Sequence, residues 1–89
     1  MKRSREMIIM QILGICSIGA TKTRIVYQVN LNFKTVNPYI ELLLKNGLIS
    51  IMDGQNKIYK TTKKGTEWLE SFKLIQNEFS IVDELASKT

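Results

Sequence analysis

The chain has 89 residues, with 13 Lys and Arg against 8 Asp and Glu, no His, and single Cys and Pro residues. A chain this short forms one small domain and buries only about 60% of the surface it exposes when unfolded, so it needs a compact helical core, a second subunit or both. With no His and with Cys16 as the lone thiol, the composition leaves nothing for a disulfide, a zinc site or the usual imidazole and thiol catalysis.

The first twenty residues imitate a secretory leader, with the basic start MKRSRE, an apolar stretch and a small-residue end. Glu6 and Gln11 interrupt that pattern, and the segment reads instead as a helix capped by Ser4. Its apolar positions Ile8, Ile9, Ile12, Leu13 and Cys16 form one stripe, Cys16 reads as a buried reduced thiol, and Gly19 ends the helix. Gly14 costs a helix interior about 1 kcal/mol relative to Ala, which predicts close packing at that point. Ala20 suits a very short strand. No apolar run approaches the ~18 residues of a membrane span.

Thr21 caps a second, shorter helix through Gln28, with Ile25, Val26 and Val29 inward and Asn30 closing it in the left-handed conformation. Asn32 caps a third, whose apolar face is Phe33, Val36, Ile40, Leu43 and Leu44 and whose stop is Gly47. Pro38 conflicts with that helix, because proline lacks the N–H and clashes with the preceding turn, and it predicts a kinked or irregular first turn. Leu48 to Met52 and Lys57 to Thr61 flank Asp53-Gly54-Gln55-Asn56 and read as an antiparallel hairpin.

Thr62 caps a last helix that runs to about Leu85, with Gly65 near its start. Trp68, Phe72, Ile75, Phe79, Val82 and Ala86 follow at intervals alternating between four and three, the spacing of a coiled-coil seam. The first helix claims part of Trp68, Leu69 and Phe72. A helix of this length nevertheless spans about 36 Å and outreaches a domain of roughly 60 residues. Its distal half, with Leu74, Ile81 and Leu85 beside the seam, therefore predicts a homodimer.

The order helix, helix, helix, hairpin, helix is that of a winged helix-turn-helix, an α+β fold whose third helix enters the DNA major groove while the hairpin, or wing, flanks it. Thr21-Lys22 at the start of helix two, the Leu-x-x-x-Gly-Leu-Ile exit at Leu43 to Ile49, and Thr-x-Lys-Gly at Thr62 to Gly65 carry a further resemblance. With YIELLLKNGLIS at Tyr39 to Ser50 and IYKTTKKGTEWLE at Ile58 to Glu70, the chain closely resembles the small archaeal winged-helix DNA-binding proteins. That resemblance covers nearly the whole chain and implies dimerisation through a long C-terminal helix. Residues 1–64 read as the DNA-binding domain and residues 65–89 as a dimerisation helix continuous with it.

Charge distribution argues in the same direction. Residues 1–64 hold 11 basic and 3 acidic groups, residues 65–89 hold 2 and 5, so one end suits phosphates and the other protein contact. Lys22 and Arg24 lie in the first turn of helix two, where free backbone N–H groups also favour a phosphate. Gln55, Asn56, Lys57 and Lys60 occupy the wing, and Lys2, Arg3 and Arg5 form an N-terminal arm. Asn32, Lys34, Thr35 and Asn37 are the candidates for base reading, with Asn32 also required as a cap.

Tyr27, Tyr39 and Tyr59 are scattered without interleaved basic residues, which favours packing over base stacking and disfavours single-strand binding. The expected partner is double-stranded DNA, bound by a homodimer in a cytoplasmic, nucleoid-associated setting. The dimer seam is Trp68, Phe72, Ile75, Phe79 and Val82. No enzyme activity, cofactor, metal or membrane is expected. Transcriptional regulation is the leading reading. Chromatin-type coating and a protein-interaction winged helix without DNA binding are its alternatives.

Overall fold

The computed structural model describes residues 4–87 except Asp53 and Gln55, and of residues 76–87 the backbone alone. Helix α1 (Arg5–Ile15) runs into a 3-10 turn (Cys16–Ile18), followed by α2 (Lys22–Val29), α3 (Phe33–Lys45), the strands β1 (Ile49–Met52) and β2 (Ile58–Thr61), and α4 (Lys63–Ser87). This is the winged-helix order expected from the sequence.

Local chemistry sets each boundary. The Ser4 hydroxyl accepts the Met7 N–H at 3.1 Å, Thr21 Oγ1 accepts that of Arg24 at 3.2 Å, and Asn32 Oδ1 accepts that of Thr35 at 2.8 Å. Each satisfies an amide that the first helical turn leaves unbonded. Asn30 takes φ 58° and Gly47 φ 71°, closing α2 and α3 in the left-handed region. The strands pair antiparallel with Ile49 opposite Thr61 and Met52 opposite Ile58. Ala20 bridges Tyr59 on the other edge of β2, as a short third strand.

The core lies where α1, α2, α3 and the hairpin converge. Ile12, Leu13, Cys16, Ile25, Val29, Val36, Ile40, Leu43, Leu48, Ile49 and Tyr59 are buried there, and Leu69 brings α4 onto it. Ile9, Met10 and Ile15 are partly buried beside Ile8, Ile12 and Leu13, so α1 is packed around more of its circumference than a single stripe. Cys16 belongs to the 3-10 turn, and burial pushes its thiol up to about 11.

Several expectations are corrected. Pro38 lies inside α3, which is helical without a break from Phe33 to Lys45, so the first turn is not irregular; Asn32 caps that turn, and Val36, Ile40 and Leu43 lie in the core. Gly14 is exposed, and a Cβ there would meet nothing within 4 Å, so close packing does not explain it. Phe33 is exposed at the first position of α3, and Tyr27 is 84% exposed. On α4, Gly65 and Leu69 are buried, and Trp68, expected to be only partly claimed by the first helix, is 45% exposed.

The two motifs that bracket the hairpin lock onto each other. Thr62 Oγ1 accepts the Gly65 N–H at 3.1 Å and donates to the Gly47 carbonyl at 2.6 Å. The Thr62 N–H donates to the Leu48 carbonyl at 3.0 Å, and Lys64 Nζ to the Asn46 carbonyl at 2.8 Å. Gly65 is required at this crossing, since a Cβ would collide with the Leu48 carbonyl oxygen. The root of α4 is thereby clamped to the exit of α3. Beyond the clamp α4 projects: the radius of gyration is 14.8 Å, against about 12 Å for a compact chain of this length.

Candidate nucleic-acid interface

Two shallow grooves bring together Lys22, Asn56 and Lys57, and Arg5, Lys34 and Thr35, among the basic and polar candidates. One lies between the start of α2 and the base of the wing and is lined by Thr21, Lys22, Thr23, Asn56, Lys57 and Tyr59. Here the N-terminal dipole of α2 adds to two ammonium groups, the combination that favours an anion. The bridge between Ala20 and Tyr59, with bonds of 2.9 and 2.8 Å, fixes the strand beside the start of α2.

The second groove runs between the start of α1 and the outer side of α3, lined by Arg5, Lys34, Thr35, Pro38, Tyr39 and Leu42. Arg5 is the first residue of α1 rather than part of an extended arm, because Ser4 caps the helix directly before it. Lys2 and Arg3 lie outside the described residues, as does Gln55 on the wing.

Arg24 is separated from Lys22 despite sharing the same turn. It lines a third depression, between α1 and α2, with Gln11, Ser17, Ile18, Tyr27 and Gln28. Lys60 is exposed on β2 opposite Ser50. Among the described residues, none of Lys22, Arg24, Lys34, Lys57 and Lys60 is held in an ion pair, whereas Lys64 is engaged by the clamp.

Helical geometry sorts the residues of α3. At about 100° per residue, Lys34, Pro38 and Lys45 fall within about 20° of the direction opposite Val36, while Asn37 falls about 80° from that direction. Asn37 is accordingly half-buried, with its Oδ1 enclosed and without a hydrogen-bond partner. Lys34, Thr35, Pro38, Glu41, Leu42 and Lys45 are exposed, and Asn32 is engaged as the cap. Counting residues around the helix from Val36 gives the outward position of Pro38 from the sequence alone.

On α4, Trp68 (45% exposed), Phe72 and Ile75 (48% exposed) line one apolar groove with Ser71. The Trp68 and Phe72 rings meet edge to face, with centroids 6.0 Å apart and planes at 62°. The side chains of Phe79 and Val82 lie outside the described residues. Among the described residues, no helix is long and apolar enough to cross a membrane, and no cluster of three or more His, Cys, Asp and Glu could hold a metal ion.

Known proteins show the same architecture. The crystal structure of Sso10a-2, a DNA-binding protein from Sulfolobus solfataricus, superposes with a TM-score of 0.77 and 28% identity, over 97% of this chain and 95% of that one. MepR, a transcription regulator of the Staphylococcus aureus multidrug efflux pump MepA, shares the fold at 23% identity, over 92% of this chain and 64% of its own, with a TM-score of 0.74. An uncharacterized protein of Methanocaldococcus jannaschii, MJ0290, is 41% identical over 70 residues. That match takes in 78% of this chain, which spans about a third (32%) of the length of that relative. The family model described as "Winged helix-turn-helix" matches residues 2–80, and the chain belongs to that family.

Proposed function

We propose that the chain binds double-stranded DNA as a homodimer and acts as a transcriptional regulator. The observation that carries this reading is the cationic surface made by Lys22 and Lys57 across one groove and by Arg5 and Lys34 across the next, with Lys60 exposed on the wing. The outer side of α3 enters the major groove, Lys22 and Lys57 hold phosphates on the flanking backbone, and Arg24 contacts phosphate from another side of the first turn of α2. Base discrimination falls to α3, with Lys34 and Thr35 on its exposed side, Asn32 exposed but engaged as the cap, and Asn37 half-buried. Asn56 and Gln55 complete the wing. The DNA-binding character of Sso10a-2 supports the assignment.

The dimer forms through the exposed seam of α4, from Trp68, Phe72 and Ile75 on toward Phe79 and Val82. An edge-to-face aromatic pair followed by an exposed isoleucine gives an apolar strip that a second copy covers.

The test is a titration of labelled duplex at several salt concentrations, with unlabelled DNA from upstream of the gene as competitor. Each phosphate contact contributes about 0.9 to the slope of log affinity against log salt, so Lys22→Ala and Lys57→Ala should each flatten it by about that amount. Preference for the upstream competitor supports a regulator. Steep salt dependence without preference means coating of DNA, and absence of binding at low salt leaves a protein-interaction module.

A further inference from the structure

We propose that Pro38 is a base-reading residue that recognises thymine through its C5 methyl group. This rests on the DNA-binding reading above. Pro38 is exposed at the centre of the outward side of α3, about 200° around the helix from Val36. The core does not require it there, since the inward contacts of α3 are made by Val36, Ile40 and Leu43. Proline is also the costliest residue a helix interior can hold, because it removes a hydrogen bond and crowds the preceding turn. A residue that opposes its own helix while serving no packing role marks a functional position.

The ring's chemistry narrows what it can read. It offers no donor, acceptor or charge, so in the major groove it matches only an apolar edge, and the thymine methyl is the apolar group displayed there. Its fixed shape presents that surface without loss of rotamer freedom. Lys34 lies one turn before Pro38 and Leu42 one turn after, and all three line the same groove with Thr35 and Arg5. Cations at one end therefore hold the backbone while an apolar strip faces the bases.

Duplexes selected by the full chain from a randomised pool would be remade with single thymine to deoxyuracil replacements, which delete the methyl and keep the base pairing. Anisotropy titrations of the parent and of Pro38→Ser then read the effect. At one thymine of the selected site, uracil should weaken the parent about fourfold, the size expected for burying one methyl-sized group, and leave Pro38→Ser unaffected. As a second variant, Pro38→Gln should select adenine in place of that thymine. A melt followed by circular dichroism should show both variants at least as stable as the parent.

A uracil penalty that persists in Pro38→Ser assigns the methyl to Thr35 or Leu42 and overturns the proposal. So does an unchanged thymine in the pool selected by Pro38→Gln, or a parent that binds every duplex without any uracil penalty; in those cases DNA binding itself stands. A parent that binds no duplex at low salt overturns both readings.

Discussion

Replacing Gly65 by Ala should destabilise this protein by about 3 kcal/mol, although the same change in an open helix gains about 1 kcal/mol. The added methyl would enter the space of the Leu48 carbonyl oxygen and lie 2.7 Å from Thr61 Cγ2 and 3.0 Å from the Leu48 carbonyl carbon. Neither neighbour is free to retreat. The Leu48 carbonyl accepts the Thr62 N–H at 3.0 Å, and Thr61 Oγ1 donates to the Leu13 carbonyl at 2.6 Å. Instead α4 must shift, stretching the bonds from Gly65 to Thr62 and from Thr62 to Gly47. Overpacking costs about 1–3 kcal/mol and each weakened hydrogen bond about 1 kcal/mol, which together outweigh the helix gain. For a domain of this size the melting temperature should fall by about 12–24 °C. Thermal and urea melts followed by circular dichroism, at matched protein concentration because association raises apparent stability, would measure it. Gly14→Ala is the control: its methyl meets open space, and it should stabilise by about 1 kcal/mol. If Gly65→Ala melts with the parent, or if both variants shift in the same direction, the clamp is not the rigid contact described.

The remaining predictions concern the core and the seam. Thr61→Val removes the buried bond to the Leu13 carbonyl with little change of shape and should cost about 1–2 kcal/mol in urea melts; a loss below about 0.3 kcal/mol would refute its role. Burial lifts the Cys16 thiol from 9.0 to about 11, so between those values the unfolded chain releases a proton that the folded chain keeps. Stability contributed by the neutral thiol is therefore complete below pH 9 and lost as pH rises toward 11, at up to about 1.4 kcal/mol per pH unit. Urea melts at increasing alkaline pH should show a shallower decline for Cys16→Ala than for the parent, and equal slopes would contradict the assignment. Trp68→Glu combined with Ile75→Glu should convert dimer to monomer in light scattering, and a dimer that persists places the seam elsewhere.

Much of the fold was legible because its boundaries rest on local chemistry. Ser4, Thr21, Asn32 and Thr62 each accept a main-chain N–H within a few residues, and Asn30 and Gly47 each take a left-handed turn. Such features depend on neighbours in the sequence and can be read there. Gly14 and Gly65 show the limit: both look like glycines that weaken a helix, yet one faces solvent and the other a carbonyl oxygen from a segment 17 residues away. The candidate interface was legible in composition more than in placement. Lys22 and Lys57 meet across a groove only because Ala20 pairs with Tyr59, and Arg24 faces another side of α2. Asn37 has the chemistry for reading adenine but a direction set by Ile40 and Val36 beside it, which the residue type alone does not reveal.

The clamp between the exit of α3 and the root of α4 makes the last helix a lever. Its 25 residues extend about 37 Å from a fulcrum at Gly47, Thr62 and Gly65, so a tilt of about 5° there moves the far tip by about 3 Å. Because the fulcrum is bonded directly to the end of α3, any angle imposed on the distal lever is felt first by the helix that carries Lys34 and Pro38.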